Sequence, residues 1–366
     1  MTPACSSRAL GAESRLRILW ASKGWHSLDQ LIAHELADQG HDVRLFTMSE
    51  PRGGWRIPVI HRHTPIPLTP ILGPRRLRDA CRSFNAEVVF ANFALTYGNY
   101  GVRGAPKGTP VVVLTWGSDV LLHGAKPGLS LLTKHALRRA HRVVANASHL
   151  AKAAQQLGAN DVALIPYGID ARTFAPHLPR PDGWPDEPGP WIGCNRNLKP
   201  LYDHATLLRG LSLVTRTPAP RMMIIGSGPE RDNLEALAEE LGIADRVYFS
   251  GRLPYEELPL YLGQCEVWAS AALSDGLPLS MLEGMACGMK VLVGELPYVA
   301  DWQVTGVTFP FTLQDPEDCA RAMSEALDAP ALAPDHAGRE TILARGDVRR
   351  TVEGLLGVAR QAGANG

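Results

Sequence analysis

The sequence of 366 residues lacks the marks of a membrane-spanning, secreted or zinc-dependent protein. No apolar run approaches the length of about 20 residues that a membrane-spanning helix needs. The six cysteines are scattered and form no Cys-x-x-Cys pair, which argues against a disulfide framework or a zinc site. The first eight residues lack the apolar core of a secretory signal. We therefore expect a short unstructured leader and a protein of the reducing cytoplasm.

The sequence also lacks net charge, but its charges are unevenly distributed. Residues 1–175 carry 21 Lys and Arg against 11 Asp and Glu, and residues 176–366 carry 16 against 26. A basic first half could face an anionic ligand or an anionic membrane surface, or the two halves could simply attract each other. Both interpretations remain open. Nothing in the pattern indicates a nucleic-acid partner.

Short apolar runs alternate with amphipathic stretches along both halves of the chain. Such strand–helix alternation predicts parallel sheets covered by helices on both faces. The proline-rich stretch 174–190 cannot continue a helix or a central strand and is predicted to be a linker. Because the length exceeds that of a usual single core, we predict two doubly wound, Rossmann-like domains over residues 1–173 and 191–347. A terminal helix within residues 348–366 follows, and ligands are expected at the carboxyl ends of the strands, in a central cleft that the domains face.

Residues 274–288, Ser-Asp-Gly-Leu-Pro-Leu-Ser-Met-Leu-Glu-Gly-Met-Ala-Cys-Gly, form the most informative segment. Asp275 is predicted in a loop, and Pro278 suits the first position of a helix, where its missing N–H costs nothing. The free N–H groups of that first turn, at Leu279 and beyond, attract anions, above all phosphates. Glu283 follows about one and a half turns later. A loop carboxylate, an anion-attracting helix end and a second carboxylate suit a nucleotide-diphosphate sugar.

This segment resembles the donor-binding signature of the family-4 retaining glycosyltransferases, of the glycosyltransferase group 1 type, which have the GT-B fold. That signature has an acidic residue, seven further residues and then Glu, and Asp275 and Glu283 fall on its acidic positions. The resemblance covers nearly the whole chain and is strongest from Ile224 to Val293. It implies that Asp275 is catalytic and that Pro278, Leu279 and Glu283 bind the donor.

The resemblance extends to other loops of the second half. Arg196 follows the predicted strand Trp191–Cys194 and is implied to be a catalytic cation for the leaving diphosphate. The family has a Lys five positions later, where this chain has Leu201. Lys199 either substitutes for it as a donor-binding residue or is an exposed loop cation. Gly228, in a Gly-x-Gly-Pro turn, and Arg252 are further implied donor-binding residues.

Two loops of the first half match less closely. After the first strand, Gly24 matches one glycine of a pair in a family loop that approaches the donor diphosphate or the acceptor, and Lys23 replaces the other. Gly24 is thereby implied to be a donor-binding residue. His26 is either an acceptor contact or an ordinary loop histidine.

After a later strand, Thr115 to Asp119 resembles a family segment in which the position of Trp116 is often His. Asp119 is expected either to be a catalytic residue that contacts an acceptor hydroxyl or only to cap the next helix. Trp116 and Asn92 are acceptor-side candidates.

Two basic stretches of the first half are predicted to be helical. Each could lie on anionic lipid headgroups or be a solvated helix face. Their residues are Arg75, Arg76, Arg78 and Arg82 in one, and Lys134, Arg138, Arg139 and Arg142 in the other.

The resemblance implies an enzyme that moves a hexosyl group from a nucleotide-diphosphate sugar to a hydroxyl, with retention of configuration. UDP-sugars are favoured over GDP-sugars, and the acceptor is a glycan, a lipid-linked or a small molecule. No cofactor and no metal are expected, since the sequence has no Asp-x-Asp motif. The protein is expected to be cytoplasmic, with peripheral contact between its basic domain and a membrane. The alternatives are a non-catalytic GT-B partner subunit and a GT-B nucleotide-sugar epimerase.

Overall fold

A computed structural model describes residues 15–65, 68–124, 126 and 128–364. The chain divides into two compact units. Unit 1 comprises the described residues up to Tyr167 together with those from Val348 onward, and unit 2 is Gly168–Asp347. The predicted leader and Cys5 lie outside the described residues.

Unit 1 is built on a parallel sheet of seven strands within the described residues, in the order β3-β2-β1-β4-β5-β6-β7. The valine-rich central strands are buried along their whole length, as expected for strands covered on both faces. The strands are β1 (Arg17–Ala21), β2 (Asp42–Thr47), β3 (Val59–His61), β4 (Val88–Asn92), β5 (Val111–Leu114), β6 (Arg142–Ala145) and β7 (Val162–Leu164).

The helices of unit 1 connect these strands and cover the sheet. They are α1 (Ser27–Asp38), α2 (Thr69–Phe84), α3 (Asn99–Gly104), α4 (Ser118–Leu121), α5 (Leu129–Arg139) and α6 (Ser148–Gln156). The terminal helix Val348–Ala364 packs against α1 and β5 of the same unit. It buries an apolar face that includes Val352 and Leu355. The terminal helix thus belongs to the same unit as β1.

Unit 2 repeats the design with a parallel sheet in the order β10-β9-β8-β11-β12-β13. Its strands are β8 (Trp191–Cys194), β9 (Arg221–Ile225), β10 (Val247–Gly251), β11 (Val267–Ser270), β12 (Lys290–Gly294) and β13 (Thr308–Phe311). Its helices are α7 (His204–Leu213), α8 (Arg231–Glu240), α9 (Leu258–Leu262), α10 (Leu279–Ala286), α11 (Pro297–Trp302), α12 (Pro316–Asp328) and α13 (Ala337–Thr341).

The boundary between the units differs from the predicted one. The chain enters unit 2 at Gly168, before the predicted end of the first domain at residue 173. The predicted linker 174–190 forms no helix or strand, but it belongs to unit 2 and is not a free spacer. Trp184 is buried and packs its ring 4.8 Å from that of Trp191. Proline prevented regular structure in this segment, whereas an aromatic side chain fixed it to the sheet.

Among the described residues, no helix has both the length and the apolar composition needed to cross a membrane.

Candidate functional site

The loop after β8 in unit 2 contacts both acidic residues of the 274–288 segment. The Asn195 Nδ2 donates a hydrogen bond of 2.7 Å to the Glu283 Oε2. The guanidinium of Arg196 forms an ion pair with Asp275, and its Nη1 donates to the Ser280 Oγ at 2.8 Å. Two consecutive residues at the end of one strand therefore hold two carboxylates that lie in the next loop and helix along the sheet.

Helix α10 begins at Leu279, one residue later than predicted. Pro278 is the N-cap and has an extended backbone (φ −74°, ψ 121°), so it precedes the first helical residue and is not part of the helix. As in any α-helix, the first-turn amides point out of the N-terminal end, and the N-cap side chain accepts from none of them. The helix end predicted to attract anions is therefore present beside Asp275 and Ser280.

Glu283 is buried inside α10, and its pKa is raised. Burial raises it to about 7, although the hydrogen bond from Asn195 and the charge of Arg196 act in the opposite direction. The Trp268 Nε1 donates to the Asn195 Oδ1 at 2.7 Å, which leaves the amide nitrogen to face the carboxyl group. Glu283 therefore exchanges a proton near neutral pH and is held in one orientation.

Arg196 lies in a cluster whose hydrogen bonding is incomplete. Its guanidinium stacks on the Tyr202 ring at 4.2 Å from the centroid, and its side chain is only 10% exposed. Within the part of the chain that the structure describes, the buried Arg196 Nε and the buried Tyr298 hydroxyl have no hydrogen-bond partner. Burial and then the charge of Asp275 raise the pKa of Tyr298, so this hydroxyl stays protonated. Buried polar groups usually have partners, so a polar ligand would complete this cluster.

Gly228 fits closely against the loop that carries Arg196. A Cβ at Gly228 would lie 2.1 Å from the Leu198 carbonyl oxygen, and one at Gly226 would lie 2.3 Å from that of Arg196. The Leu198 N–H also donates to the Ser227 carbonyl at 3.1 Å. These glycines let the β9–α8 turn support the loop after β8, a packing role that the resemblance alone did not indicate.

The remaining cations predicted for the donor side are solvent-exposed. Lys199 and Arg252 are exposed and take part in no ion pair among the described residues. Leu201, at the position where the family has Lys, is also exposed. The structure therefore brings Arg196, Asp275, Glu283 and the start of α10 together, but not Lys199 or Arg252.

The expectation that Asp119 contacts an acceptor is wrong in this structure, because its side chain is fully buried. Its Oδ2 accepts from the Ala94 N–H at 2.9 Å, and its Oδ1 accepts from the N–H groups of Trp116 and Gly117. Gly117 is the N-cap of α4, so the bond from its N–H is a capping interaction that Asp119 makes in addition to its bonds to Trp116 and Ala94. It binds two loops at the carboxyl edge of the sheet in unit 1.

Trp116, His26 and Asn92 do lie together in unit 1. The rings of Trp116 and His26 stack with centroids 5.8 Å apart, and the Trp116 Nε1 donates to the Asn92 Oδ1 at 3.1 Å. Asn92 is buried and holds the indole, whereas His26 is exposed. Partial burial and then the charge of Lys23 lower the pKa of His26, so its imidazole is neutral at neutral pH. The pair offers an aromatic surface at the sheet edge.

The Gly24 loop is fixed from inside unit 1. Gly24 has φ of +70°, a conformation that favours glycine, and its N–H donates to the Ser22 Oγ at 3.0 Å. Ser22 in turn donates to buried Asp29. Burial raises the pKa of Asp29 to about 6, against the hydrogen bonds from Ser22 and Trp20. Sequence reasoning missed Asp29, because an acid inside an amphipathic helix looks like an exposed residue.

No group of three or more His, Cys, Asp or Glu side chains that could hold a metal ion occurs among the described residues.

Two family models match the chain. The Glycosyl transferase 4-like domain matches residues 30–168, and Glycosyl transferases group 1 matches residues 185–340. The solved structure of a sucrose-phosphate synthase from Thermosynechococcus elongatus superimposes with a TM-score of 0.77 at 18% identity, over 96% of this chain and 100% of that one. The Anabaena protein HepE, solved with UDP, gives 0.78 at 17% identity, over 94% and 100%. These likenesses show the fold, and the predicted GT-B class is confirmed.

Curated relatives match parts of the chain. A GDP-mannose-dependent alpha-(1-6)-phosphatidylinositol monomannoside mannosyltransferase of Mycolicibacterium smegmatis is 32% identical over 36% of this chain and 37% of its own length. A 2-deoxystreptamine glucosyltransferase of Streptomyces kanamyceticus is 28% identical over 58% of this chain and 59% of its own length. The matched regions thus span less than two thirds of these relatives. The two family models together cover most of the chain, which belongs to the group 1 glycosyltransferases.

Proposed function

We propose that the chain is a retaining glycosyltransferase that moves a hexosyl group from a nucleotide-diphosphate sugar to an acceptor hydroxyl. The observation that carries this proposal is the pair of contacts from the loop after β8, Asn195 to Glu283 and Arg196 to Asp275. Parallel α/β sheets bind ligands at the carboxyl ends of their strands, which is where this loop lies. Family membership supports the same activity.

Glu283 is proposed to accept hydrogen bonds from the ribose hydroxyls of the donor, as acidic residues do in other nucleotide sites. Its raised pKa means that part of the population is protonated at neutral pH. Two hydroxyl donors stabilise the carboxylate, so nucleotide binding should release a proton. Asn195 keeps the carboxyl group in place through the chain of hydrogen bonds from Trp268.

Arg196 and the first-turn amides of α10 are proposed to stabilise the charge that develops on the leaving diphosphate. The guanidinium of Arg196 is preorganised, because Asp275, Ser280 and Tyr202 fix it before a ligand binds. Asp275 is proposed to orient the donor sugar through its hydroxyls. A fixed cation and a helix end in one place would serve a diphosphate without a metal ion, which is the metal-independent reaction we propose.

Retention is proposed to occur by front-face displacement. The bond between the anomeric carbon and the phosphate oxygen breaks while the acceptor oxygen bonds to the same face of that carbon. The acceptor hydroxyl gives its proton to the departing phosphate oxygen. The leaving group thus acts as the base, and no side chain needs to form a covalent intermediate.

The donor base and the acceptor are the finer parts of the proposal. We favour UDP-sugars, but the relatives named for their donor use GDP-mannose, so both nucleotides belong in the test. The relatives are named for phosphatidylinositol monomannoside and for 2-deoxystreptamine, a lipid-linked and a small-molecule acceptor respectively. We propose an acceptor from one of these two classes.

We also propose peripheral contact between unit 1 and an anionic membrane. Ile71 on α2 and Leu131 on α5 are each 70% exposed, and both helices pack on α3. A groove beside Ile71 has basic residues along it, with one acid. Exposed apolar side chains next to cations are typical of surfaces that lie on anionic bilayers. The basic residues of the groove are Arg75, Arg78, Arg82 and Arg103, and the acid is Asp79.

The activity is tested with the full chain and a panel of UDP- and GDP-sugars. We expect one donor to raise the melting temperature and to release its nucleoside diphosphate slowly by hydrolysis, and faster with an acceptor present. With an α-linked donor, NMR of the product should show an α-linkage. Nucleotide binding without any turnover would favour the partner subunit, and an epimerised donor sugar would favour the epimerase.

The membrane contact is tested by co-sedimentation with phosphatidylglycerol vesicles. The double variant Ile71→Ser with Arg75→Gln removes one apolar anchor and one cation. Loss of the cation alone should cost about 1 kcal/mol of binding free energy, so the double variant should bind at least about tenfold more weakly. Leu213→Ser removes an apolar residue of unit 2 that is 49% exposed and serves as the control. Equal binding of all three proteins would contradict the proposal.

A further inference from the structure

Two loops of unit 1 form a small cationic platform beside the aromatic pair of His26 and Trp116. The Lys23 Nζ lies 3.5 Å from the centroid of the Trp25 ring, and the Arg52 guanidinium carbon lies 4.2 Å from the same centroid. Lys23 comes from the loop after β1 and Arg52 from the loop after β2. Both loops therefore leave the carboxyl edge of the sheet, where α/β folds bind ligands.

The platform is held in shape by the backbone. The Arg52 N–H donates to the Gly24 carbonyl at 2.9 Å, and the Trp25 Nε1 donates to the Glu50 carbonyl at 2.8 Å. The Arg52 carbonyl in turn accepts from the Gln30 Nε2 at 2.6 Å. These bonds join the two loops and fix the indole, so the two cations are positioned before any ligand binds.

The two cations lack compensation from an acid. Neither Lys23 nor Arg52 forms an ion pair with any residue that the structure describes. Burial and then the charge of Arg52 lower the pKa of Lys23. The indole face stabilises each cation, and because both side chains are exposed and have no acidic partner among the described residues, both remain available to an anion.

We propose that Lys23 and Arg52 bind a phosphate group carried by the acceptor. A phosphate monoester carries up to two charges and offers three acceptor oxygens, so it neutralises two cations more fully than a carboxylate, which carries one charge. The neutral His26–Trp116 stack beside the platform presents an aromatic face on which a sugar or polyol ring packs. The acceptor is therefore a phosphorylated sugar or polyol, and a cationic acceptor would be repelled.

The inference rests on the proposed function, in which the diphosphate of the donor is bound in unit 2 by Arg196. Nucleotide and acceptor phosphate then use different cations in different units. The two ideas can fail separately, because nucleotide binding and binding at Lys23 are measured with different probes.

The test follows the indole N–H signals of the full chain by NMR, with the signal of Trp25 assigned through Trp25→Phe. Glycerol 1-phosphate should shift this signal and should bind more tightly than inorganic phosphate. Neutral glycerol and the carboxylate glycolate should not shift it. Lys23→Met and Arg52→Gln should each weaken binding of glycerol 1-phosphate about tenfold or more, as expected for one charge-assisted contact.

Lys107→Met and Arg209→Gln remove exposed cations from other places and serve as matched controls. The proposal is overturned if the controls weaken binding as much as the two test variants, or if glycolate binds as well as the phosphate ester. It is also overturned if inorganic phosphate binds more tightly than the ester, since the site would then recognise free phosphate. A Trp25 signal that responds only to UDP or GDP would assign these cations to the donor and contradict the inference.

Discussion

Both units have carboxylates at the carboxyl edge of their sheets, but the groups that pair with these carboxylates differ between the units. In unit 1, Asp29 and Asp119 are fully buried, and N–H and O–H groups of their own unit occupy their oxygens. In unit 2, the side chain of Asp275 remains 22% exposed and pairs with Arg196, a group that can also meet an anion. The comparison shows that an acid at a strand end is a candidate for ligand binding only when its partners leave room for a ligand.

This difference predicts that substitution of the Asp275 partner Arg196 in unit 2 lowers turnover, whereas substitution of the fully buried Asp119 in unit 1 lowers stability. The following experiments test that separation.

The largest effect is expected for Arg196→Gln. This variant removes the cation that we assign to the leaving diphosphate, and kcat should fall about 10² to 10³-fold, as for the loss of one oxyanion-stabilising donor. Steady-state release of the nucleoside diphosphate measures it. Arg209→Gln, an exposed arginine of the same unit, is the control and should retain wild-type kcat. Similar kcat values for both variants would remove Arg196 from the mechanism.

A smaller and different effect is expected for Asp119→Asn. An amide in this position must turn its NH₂ group toward one of the three backbone N–H groups that the carboxylate accepts from. The free energy of unfolding should fall by about 2 kcal/mol, within the range for a buried unsatisfied group. Urea unfolding measures this loss, and Asp38→Asn, at a surface ion pair, should cost less than about 1 kcal/mol.

The kcat of the folded Asp119→Asn protein should stay within about threefold of the wild-type value. A loss of about 100-fold at unchanged stability would reverse the comparison and make Asp119 a catalytic residue.

The pH dependence of stability should separate the units as well. The folded pKa of Glu283 is about 7 against an ordinary value of 4.5, so its protonated form is favoured by folding. The stability that this group contributes is complete below about pH 4.5 and is lost as the pH rises to about 7. Asp29 in unit 1 behaves in the same way between about 3.8 and 6.

Urea unfolding at several pH values measures both effects. Glu283→Gln should abolish the decrease at higher pH, and Asp29→Asn should abolish only the decrease at lower pH. The account would be contradicted if the decrease that depends on Asp29 occurred at higher pH than the decrease that depends on Glu283.

The smallest effect is expected for Lys199→Met. Lys199 is exposed and forms no ion pair among the described residues, so the affinity for nucleoside diphosphate should change less than about threefold. Calorimetric titration with UDP and GDP measures it. A tenfold loss would show that Lys199 substitutes for the lysine that the family has at the position of Leu201.

Much of the fold could be predicted from the sequence, because buried parallel strands leave continuous apolar runs. The strands Val111–Leu114 and Trp191–Cys194 lie where their apolar residues predict them. The short edge strand Val59–His61 was missed, since it is only partly buried and carries little apolar pattern. The proline-rich segment 174–190 was correctly predicted to lack regular structure, but its attachment through Trp184 depends on a tertiary contact.

The part of the candidate site that lies within one local segment, residues 274–288, could be predicted from the sequence. Asp275 and Glu283 share a segment with a helix start, and the structure brings Arg196 to it. Asn195 was missed, because its role depends on hydrogen bonds with Trp268 and Glu283, which are distant in sequence. Of the two roles expected for Asp119, the acceptor contact was wrong for the opposite reason, since the sequence shows the strand end but not the backbone N–H groups that face the carboxylate.

The central claim is that unit 2 binds the donor through the loop after β8 and the start of α10. Hydrogen–deuterium exchange of the full chain, with and without UDP or GDP, tests it most directly. We expect one nucleotide to slow exchange over residues 195–199 and 274–286, and we expect this protection to disappear in Glu283→Gln. Nucleotide binding that leaves exchange in both segments unchanged would contradict the account.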